Sequence, residues 1–314
     1  MTGEFIFGPV NSRRLGISLG IDLLPYKTCS FDCVYCECGL TTDLTFERAE
    51  YVKTDQVIKD LRAYLEKRPE LDYITFSGSG EPTLHTGIGR IISFIKDEFP
   101  EYKVAVLTNS SLLFREDVQN DIIRADLVVP SLDAVTEEVF NKILRPADGL
   151  NPELILSGIK SFREKFRNRL VIEIFIIPGF NDTIEEISLI KEFLINLNAD
   201  GIQLNSLDRP APEEWVKPVS EDNLIRLRDM FKPLVVQIIR RARRSSAQNV
   251  FHNDAEDTII AVLKRRPSTL DDLVYAAGIN AKEITVYLEK MRDEGVIIEK
   301  KGIRGLFYRI SNRN

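Results

Sequence analysis

All four cysteines of this 314-residue chain fall within CSFDCVYCECG, residues 29–39. Cys29, Cys33 and Cys36 are spaced C-x3-C-x2-C, and Cys38 follows two positions later. A disulfide framework gains little from loops this short, because the stabilisation grows with the length of chain that is closed. Structural zinc asks for four ligands, commonly two separated C-x2-C pairs, and there is no second pair. The two histidines, His85 and His252, are far away in sequence. Three thiolates in eight residues suit a [4Fe–4S] cluster held through three irons, with the fourth left for another ligand. Cys38 reads as an incidental thiol, or as a hydrogen donor or redox-active thiol whose reactivity exposure and pKa would set.

A second group of polar residues recurs along the chain: Ser77-Gly78-Ser79-Gly80-Glu81-Pro82, Thr108-Asn109-Ser110, Pro130-Ser131-Leu132-Asp133, Pro178-Gly179-Phe180-Asn181 and Asn205-Ser206-Leu207-Asp208-Arg209. Turns and helix caps use these residue types in any α/β protein. Here each cluster closes a short apolar run. The runs lie at 16–22, 72–78, 103–109, 126–133, 170–179 and 201–208, and helical periodicity marks 54–68, 86–98, 135–144, 151–166 and 184–196 between them. Repeated strand–helix units imply a parallel sheet with right-handed crossovers. Six units, with 234–239 as a further strand, predict an α/β full or partial (βα) barrel whose functional residues gather at the C-terminal strand ends.

The composition, 44% hydrophobic and 29% charged, allows a large core, and the length suggests one large domain and a small one. No run approaches the ~18 apolar residues of a membrane span, and the N-terminal segment has no h-region. A cytoplasmic protein without membrane partners is the expectation.

The cysteine motif, with the aromatic Tyr35 immediately before its last member, resembles the signature of the radical SAM superfamily. The glycine-rich turn at 77–82 resembles that superfamily's GGE motif, with Ser79 in place of one small residue. Residues 7–16, 130–140, 176–182 and 202–210 resemble a branch of iron–sulfur oxidoreductases grouped near the wyosine-type tRNA-modifying enzymes. The resemblance covers roughly residues 1 to 240, and it implies that Cys29, Cys33 and Cys36 hold three irons while S-adenosylmethionine chelates the fourth. One electron then cleaves the sulfonium, giving methionine and a 5′-deoxyadenosyl radical that abstracts hydrogen from a substrate. An electron donor such as ferredoxin or flavodoxin is implied with it.

In that setting Gly78 and Gly80, flanking Ser79, admit close backbone approach to the methionine amino group, and Glu81 offers it a carboxylate. Asn109, Ser131 and Asp133 are candidates for the carboxylate or ribose hydroxyls, and Asn205 and the main chain of Ile177 for adenine. Glu173 lies in an apolar strand where an unpaired charge is costly, so it faces cofactor, substrate or an arginine. Arg13 and Arg14 meet an anionic substrate or lie on the surface. The wyosine-type synthases carry further cysteines for a second cluster, which Cys38 alone cannot build.

The chain divides into 1–240, a basic linker 241–254 and a C-terminal module 255–314. Helices at 256–266, 268–278 and 280–295 are expected. Ser268 with Asp271, and Asn280 with Glu283, mark two starts, while Gly278 and Gly295 mark the ends. With VIIEK and LFYRI as a hairpin, the module resembles a winged helix-turn-helix, whose second helix, 281–294, often meets nucleic acid. Residues 234–314 hold 15 Lys and Arg against 10 Asp and Glu, but four of the arginines are at 240, 241, 243 and 244. Any phosphate contact would therefore concentrate there and at Lys300, Lys301 and Arg304. The substrate reading is a tRNA or other nucleic acid. A protein partner modified by an activase, or a redox-sensing DNA-binding regulator, are the alternatives.

Overall fold

The computed structural model describes residues 5–12, 14–240 and 255–311. It opens with β1 (Ile6–Ser12), β2 (Gly16–Ile21) and the two-residue strands β3 (Thr28–Cys29) and β4 (Asp43–Leu44). Next come α1 (Thr54–Leu65), β5 (Tyr73–Phe76), α2 (Ile88–Glu98), β6 (Val104–Thr108), α3 (Glu116–Ile122), β7 (Leu127–Pro130), α4 (Glu137–Leu144) and α5 (Pro152–Lys165). The run ends with β8 (Arg169–Phe175), α6 (Ile184–Leu197), β9 (Gly201–Asn205), α7 (Glu221–Met230) and β10 (Val236–Ile238). The main sheet has the order β1-β2-β5-β6-β7-β8-β9-β10 and is parallel except for β1 against β2. Its two edge strands do not pair, so the barrel is partial.

Each apolar run expected to be a strand is one. All of β7 is buried, as a parallel sheet covered on both faces requires. The helices present stripes: α1 buries Val57, Leu61 and Leu65, and α2 buries Ile88, Ile91, Ile92 and Ile95, the spacing of one helical face. The sequence reading omitted β1, α3 and α7. β1 is broken by Gly8 and Pro9 and shifts register between Phe7 and Val10. α7 buries only Leu224 and Leu227 and is otherwise polar, so its start rests on the Ser220 side chain accepting from Asn223 N. Among the described residues no helix is long and apolar enough to cross a membrane.

Beyond residue 254 lie α8 (Ala255–Leu263), α9 (Leu270–Ala277), α10 (Ala281–Asp293) and a hairpin of β11 (Ile297–Gly302) and β12 (Gly305–Ile310). Ile259, Leu273, Ile284, Leu288, Met291 and Ile297 form a second core, against which Val10 of β1 packs. The segment 241–254, with Arg241, Arg243, Arg244 and His252, lies outside the described residues, as does Arg13. The start of α9 differs from expectation by one residue. Thr269 is the N-cap and forms a capping box with Asp272, because Ser268 exchanges backbone hydrogen bonds with Tyr308 of β12. Asn280 accepts from Glu283 N as expected, and Gly278 closes α9 at φ 67°.

Thr269→Ala should therefore destabilise the protein by about 1 kcal/mol, and Ser268→Ala by clearly less. Urea unfolding followed by far-ultraviolet dichroism checks this, and the reverse ranking would assign the cap to Ser268.

Candidate functional site

The cysteine loop leaves the C-terminal end of β2 and is pinned along its length. Asp32 N and Val34 N donate to Arg145 O (3.1 Å) and Ile143 O (3.0 Å) at the end of α4, and Phe31 packs edge-on to Phe140 at 5.6 Å. Within the loop Thr41 N donates to Asp32 Oδ1 (2.7 Å), and Cys36 N donates to Cys33 O (3.1 Å). The four thiols are free and half-buried. Among the described residues no three His, Cys, Asp or Glu side chains close on a single-ion site.

Sequence reasoning missed Lys27. It is only 2% exposed, adopts a left-handed backbone (φ 56°), and its Nζ donates to Cys36 Sγ at 3.0 Å. Burial works against its charge, but the neighbouring Cys36, Cys29 and Cys38 sulfurs outweigh it and hold the ammonium well above its ordinary range. The hydrogen bond from Cys38, followed by Lys27, brings Cys36 down to about 5 against the effect of burial. Burial instead pushes Cys29 up to about 11. A lysine two residues ahead of the first cysteine was the available signal. An all-sulfur donor set suits iron–sulfur chemistry rather than a hard cation, and a buried ammonium offsets the negative charge that such a group brings. The residues present fit the cluster.

The turn at 77–82 packs directly on this loop. A Cβ on Gly80 would lie 2.0 Å from Thr28 O, and one on Gly78 would lie 2.1 Å from Asp22 Oδ1. The close approach that these glycines permit is thus to the chain's own β2 end and cysteine loop. Ser79 donates through N (3.2 Å) and Oγ (3.3 Å) to Asp22 Oδ2. Asp22 directly follows β2, where the sequence reading looked only at the cysteines. Glu81 is buried with both oxygens engaged. Oε1 accepts from Thr83 N (3.0 Å), Thr83 Oγ1 (2.6 Å) and Thr108 Oγ1 (2.7 Å), and Oε2 accepts from Asn109 N (2.7 Å). These are the contacts of a brace between β5 and β6 rather than of a free carboxylate.

Tyr35, Asn109, Ser131 and Asp133 line one small cavity of about 30 Å³. Asn109 Nδ2 donates to Ser30 Oγ (2.9 Å) and Cys29 Sγ (3.5 Å), tying the end of β6 to the first cysteine. Tyr35 stacks on Phe175 at 4.2 Å and donates its hydroxyl to Asp133, whose other oxygen accepts from Phe175 N (2.6 Å). Burial pushes Asp133 up to about 6, opposed by these two bonds. Ser131 donates its N to Thr108 O (2.9 Å) and bridges to Glu173.

Ile177 and Asn205 do not line that cavity. Ile177 N donates to Asn181 Oδ1 (2.7 Å), and its carbonyl accepts from Phe180 N (3.1 Å). Asn205 Nδ2 donates to Glu173 Oε1 (3.0 Å), and Glu173 pairs with Arg14, which gives that strand carboxylate its charge partner. Arg304, expected at the hairpin tip as a phosphate contact, turns inward instead. Its Nη2 lies 2.7 Å from Asp272, and its Nε donates to Asp208 O (2.7 Å). Cys38 Sγ lies 3.7 Å from Gly78 O. His85 is fully buried just ahead of α2, with Nε2 2.8 Å from Val52 O.

Glu81→Ala would leave several buried donors without an acceptor, so it should lower unfolding free energy by roughly 3 to 5 kcal/mol, with Glu81→Gln less severe. Denaturant midpoints measure this, and equal midpoints would show that the brace carries no stability.

A family model described as the Radical SAM superfamily matches residues 23–190. The chain is 34% identical over 307 residues to the UPF0026 protein MJ1312 of Methanocaldococcus jannaschii, covering 96% of this chain and 94% of that one. It is 31% identical over 296 residues to a Brachyspira hyodysenteriae protein named GTPase Obg, but spans only 43% of that relative's length. A radical SAM methyltransferase from Sphaerobacter thermophilus shares the fold, with a TM-score of 0.53 and 19% identity, covering 72% of this chain and 67% of the other. The matched segment begins ahead of the cysteine loop and runs through the braced turn and β8 into α6, which places the chain in the radical SAM superfamily, whose members use a [4Fe–4S] cluster and S-adenosylmethionine.

Proposed function

We propose that Cys29, Cys33 and Cys36 hold a [4Fe–4S] cluster at which S-adenosylmethionine is cleaved reductively, and that the 5′-deoxyadenosyl radical abstracts hydrogen from a substrate. The observation that carries this reading is the seating of the cysteine loop at the C-terminal rim of a parallel sheet, in contact with Asn109 and the 77–80 turn. The cluster, when bound, supplies the electron that breaks the sulfonium C–S bond.

The chain's own residues bind and orient. Main-chain groups of Gly78, Ser79 and Gly80 are assigned to the methionine end, and Glu81 serves them indirectly by fixing the turn. Asn109, Ser131 and Asp133 are assigned to the carboxylate and ribose, with Tyr35 and Phe175 as the apolar wall. Asn205 and the Ile177 main chain, which lie outside the cavity lined by Asn109, Ser131 and Asp133, are kept on the adenine side by the resemblance alone. Lys27 places a positive charge beside the sulfurs, which favours the reduced, more negative state of the site. Ferredoxin or flavodoxin is the class of donor such a site needs. Residues 255–314, read as a winged helix, are assigned to the substrate, with a nucleic acid as the favoured class.

Anaerobically reconstituted protein should carry about four irons and convert S-adenosylmethionine to 5′-deoxyadenosine under reduction. Cys33→Ala should lose both properties, whereas Cys38→Ala should keep its iron. Iron loss in Cys38→Ala would overturn the ligand assignment. Lys27→Met should shift the cluster potential to more negative values in an electron paramagnetic resonance titration, and an unchanged potential would remove Lys27 from that role.

A further inference from the structure

Of the three cations on α10, the helix that a winged helix-turn-helix would lay on nucleic acid, two are held by acidic side chains. Its Lys290 pairs with Glu256 (3.1 Å), and its Arg292 pairs with Asp293 (3.3 Å) and Glu299 (3.6 Å). The cations gather elsewhere, in a cleft of about 820 Å³ counted out to its open mouth, between the C-terminal module and the cysteine loop. One wall is that loop, with Tyr26 from ahead of its first cysteine and Cys38 and Leu40 from its end, and the opposite wall supplies Arg265, Arg266, Lys300 and Arg309.

The hairpin register explains why two of these face the cleft together. Ile298 lies opposite Arg309 and Lys300 opposite Phe307, so Lys300, Phe307 and Arg309 share one face of the ribbon, with Glu299 and Lys301 on the other. Arg309 Nε is buried and has no hydrogen-bond partner among the described residues. Neither Lys300 nor Arg309 pairs with an acidic side chain among those residues. Glu37 is the one carboxylate in the lining, and it is bound to Arg209. Arg265 is oriented by Asp22 at 3.4 Å, and Asp22 in turn holds Ser79 of the glycine turn. The cleft is therefore linked through Asp22 to the turn beside the cysteines.

We infer that this cleft binds the phosphate of a phosphorylated substrate, with Lys300 and Arg309 as its direct contacts and Tyr26 and Leu40 bounding the attached apolar or ring portion. This deepens the reaction proposed above and rests on it for the word substrate. The Arg309 guanidinium fork matches a phosphate's several oxygens, and Lys300 adds a second positive charge on the same face of the ribbon. The ligand is a free phosphorylated compound or the phosphate of a longer chain whose end enters the cleft.

The test uses reconstituted full-length protein and calorimetry with uridine 5′-monophosphate, uridine and pyrophosphate, avoiding adenosine compounds that would compete for the S-adenosylmethionine site. The nucleotide should bind at least about tenfold more tightly than uridine, pyrophosphate should displace it, and Lys300→Gln or Arg309→Gln should each weaken it by about tenfold, as loss of one charge-assisted hydrogen bond does. Lys301→Gln, on the other face of the ribbon, should leave it unchanged. A 5′-phosphorylated oligoribonucleotide that displaces the monophosphate assigns the phosphate to a chain, and failure to displace assigns it to a free compound. Equal binding of nucleotide and uridine, or wild-type affinity in both glutamine variants, overturns the proposal. Formation of 5′-deoxyadenosine is read in parallel on the wild type. Its absence with nucleotide binding intact would remove the reaction and leave the cleft, whereas its presence without nucleotide binding would remove the cleft alone.

Discussion

The site depends on one contact between main chains, the packing of the 78–80 turn against the carbonyl of Thr28, one residue before the first cysteine. Gly80 has no room for a Cβ there, and Glu81 N donates to the same carbonyl at 3.3 Å. The turn cannot hold that position by itself, since short glycine-rich segments lose much conformational freedom on ordering. The Glu81 carboxylate supplies the restraint, joining Thr83 after the turn to Thr108 and Asn109 on the next strand. Asn109 then reaches back to Cys29, which closes a circuit from β5 through β6 to the cysteine loop.

Charge around the circuit is arranged with equal economy. A buried ion costs several kcal/mol unless it is paired and hydrogen-bonded. Lys27 meets this condition with sulfur alone, Glu173 with Arg14 and Asn205, and Arg209 with Glu37 from the cysteine loop. The last pair matters for the C-terminal module, because Arg209 and Asp208 also engage its Asp272 and Arg304. The module is joined to the strand-end loop after β9 by charges, and to β1 by Val10 and by Arg265 stacked 4.1 Å over Phe7.

Much of this was legible in the sequence because barrel strands buried on both faces are continuous apolar runs, and such runs survive without an alignment. The cysteine spacing, the strand-end clusters and the Asn280 cap were equally local signals. What escaped depended on partners distant in sequence. Glu81 reads as a free carboxylate until Thr108 and Asn109 are brought beside it. Lys27 reads as a surface lysine until the loop folds over it, and Arg304 reads as a hairpin-tip cation until Asp272 and Asp208 take it. β1 was hidden because Gly8 and Pro9 interrupt its pattern, and the cap of α9 because Ser268 and Thr269 are equally good caps until Tyr308 claims the former.

The most direct measurement is made on Gly80→Ala, reconstituted anaerobically, with iron analysis and electron paramagnetic resonance of the reduced protein with and without S-adenosylmethionine. A methyl group there must displace the Thr28 carbonyl, so the account predicts a folded protein by circular dichroism whose iron falls well below about four per chain and whose remaining signal does not respond to S-adenosylmethionine. Full iron content with a wild-type spectral response would contradict it, because the cysteine loop would then be held in place without the turn.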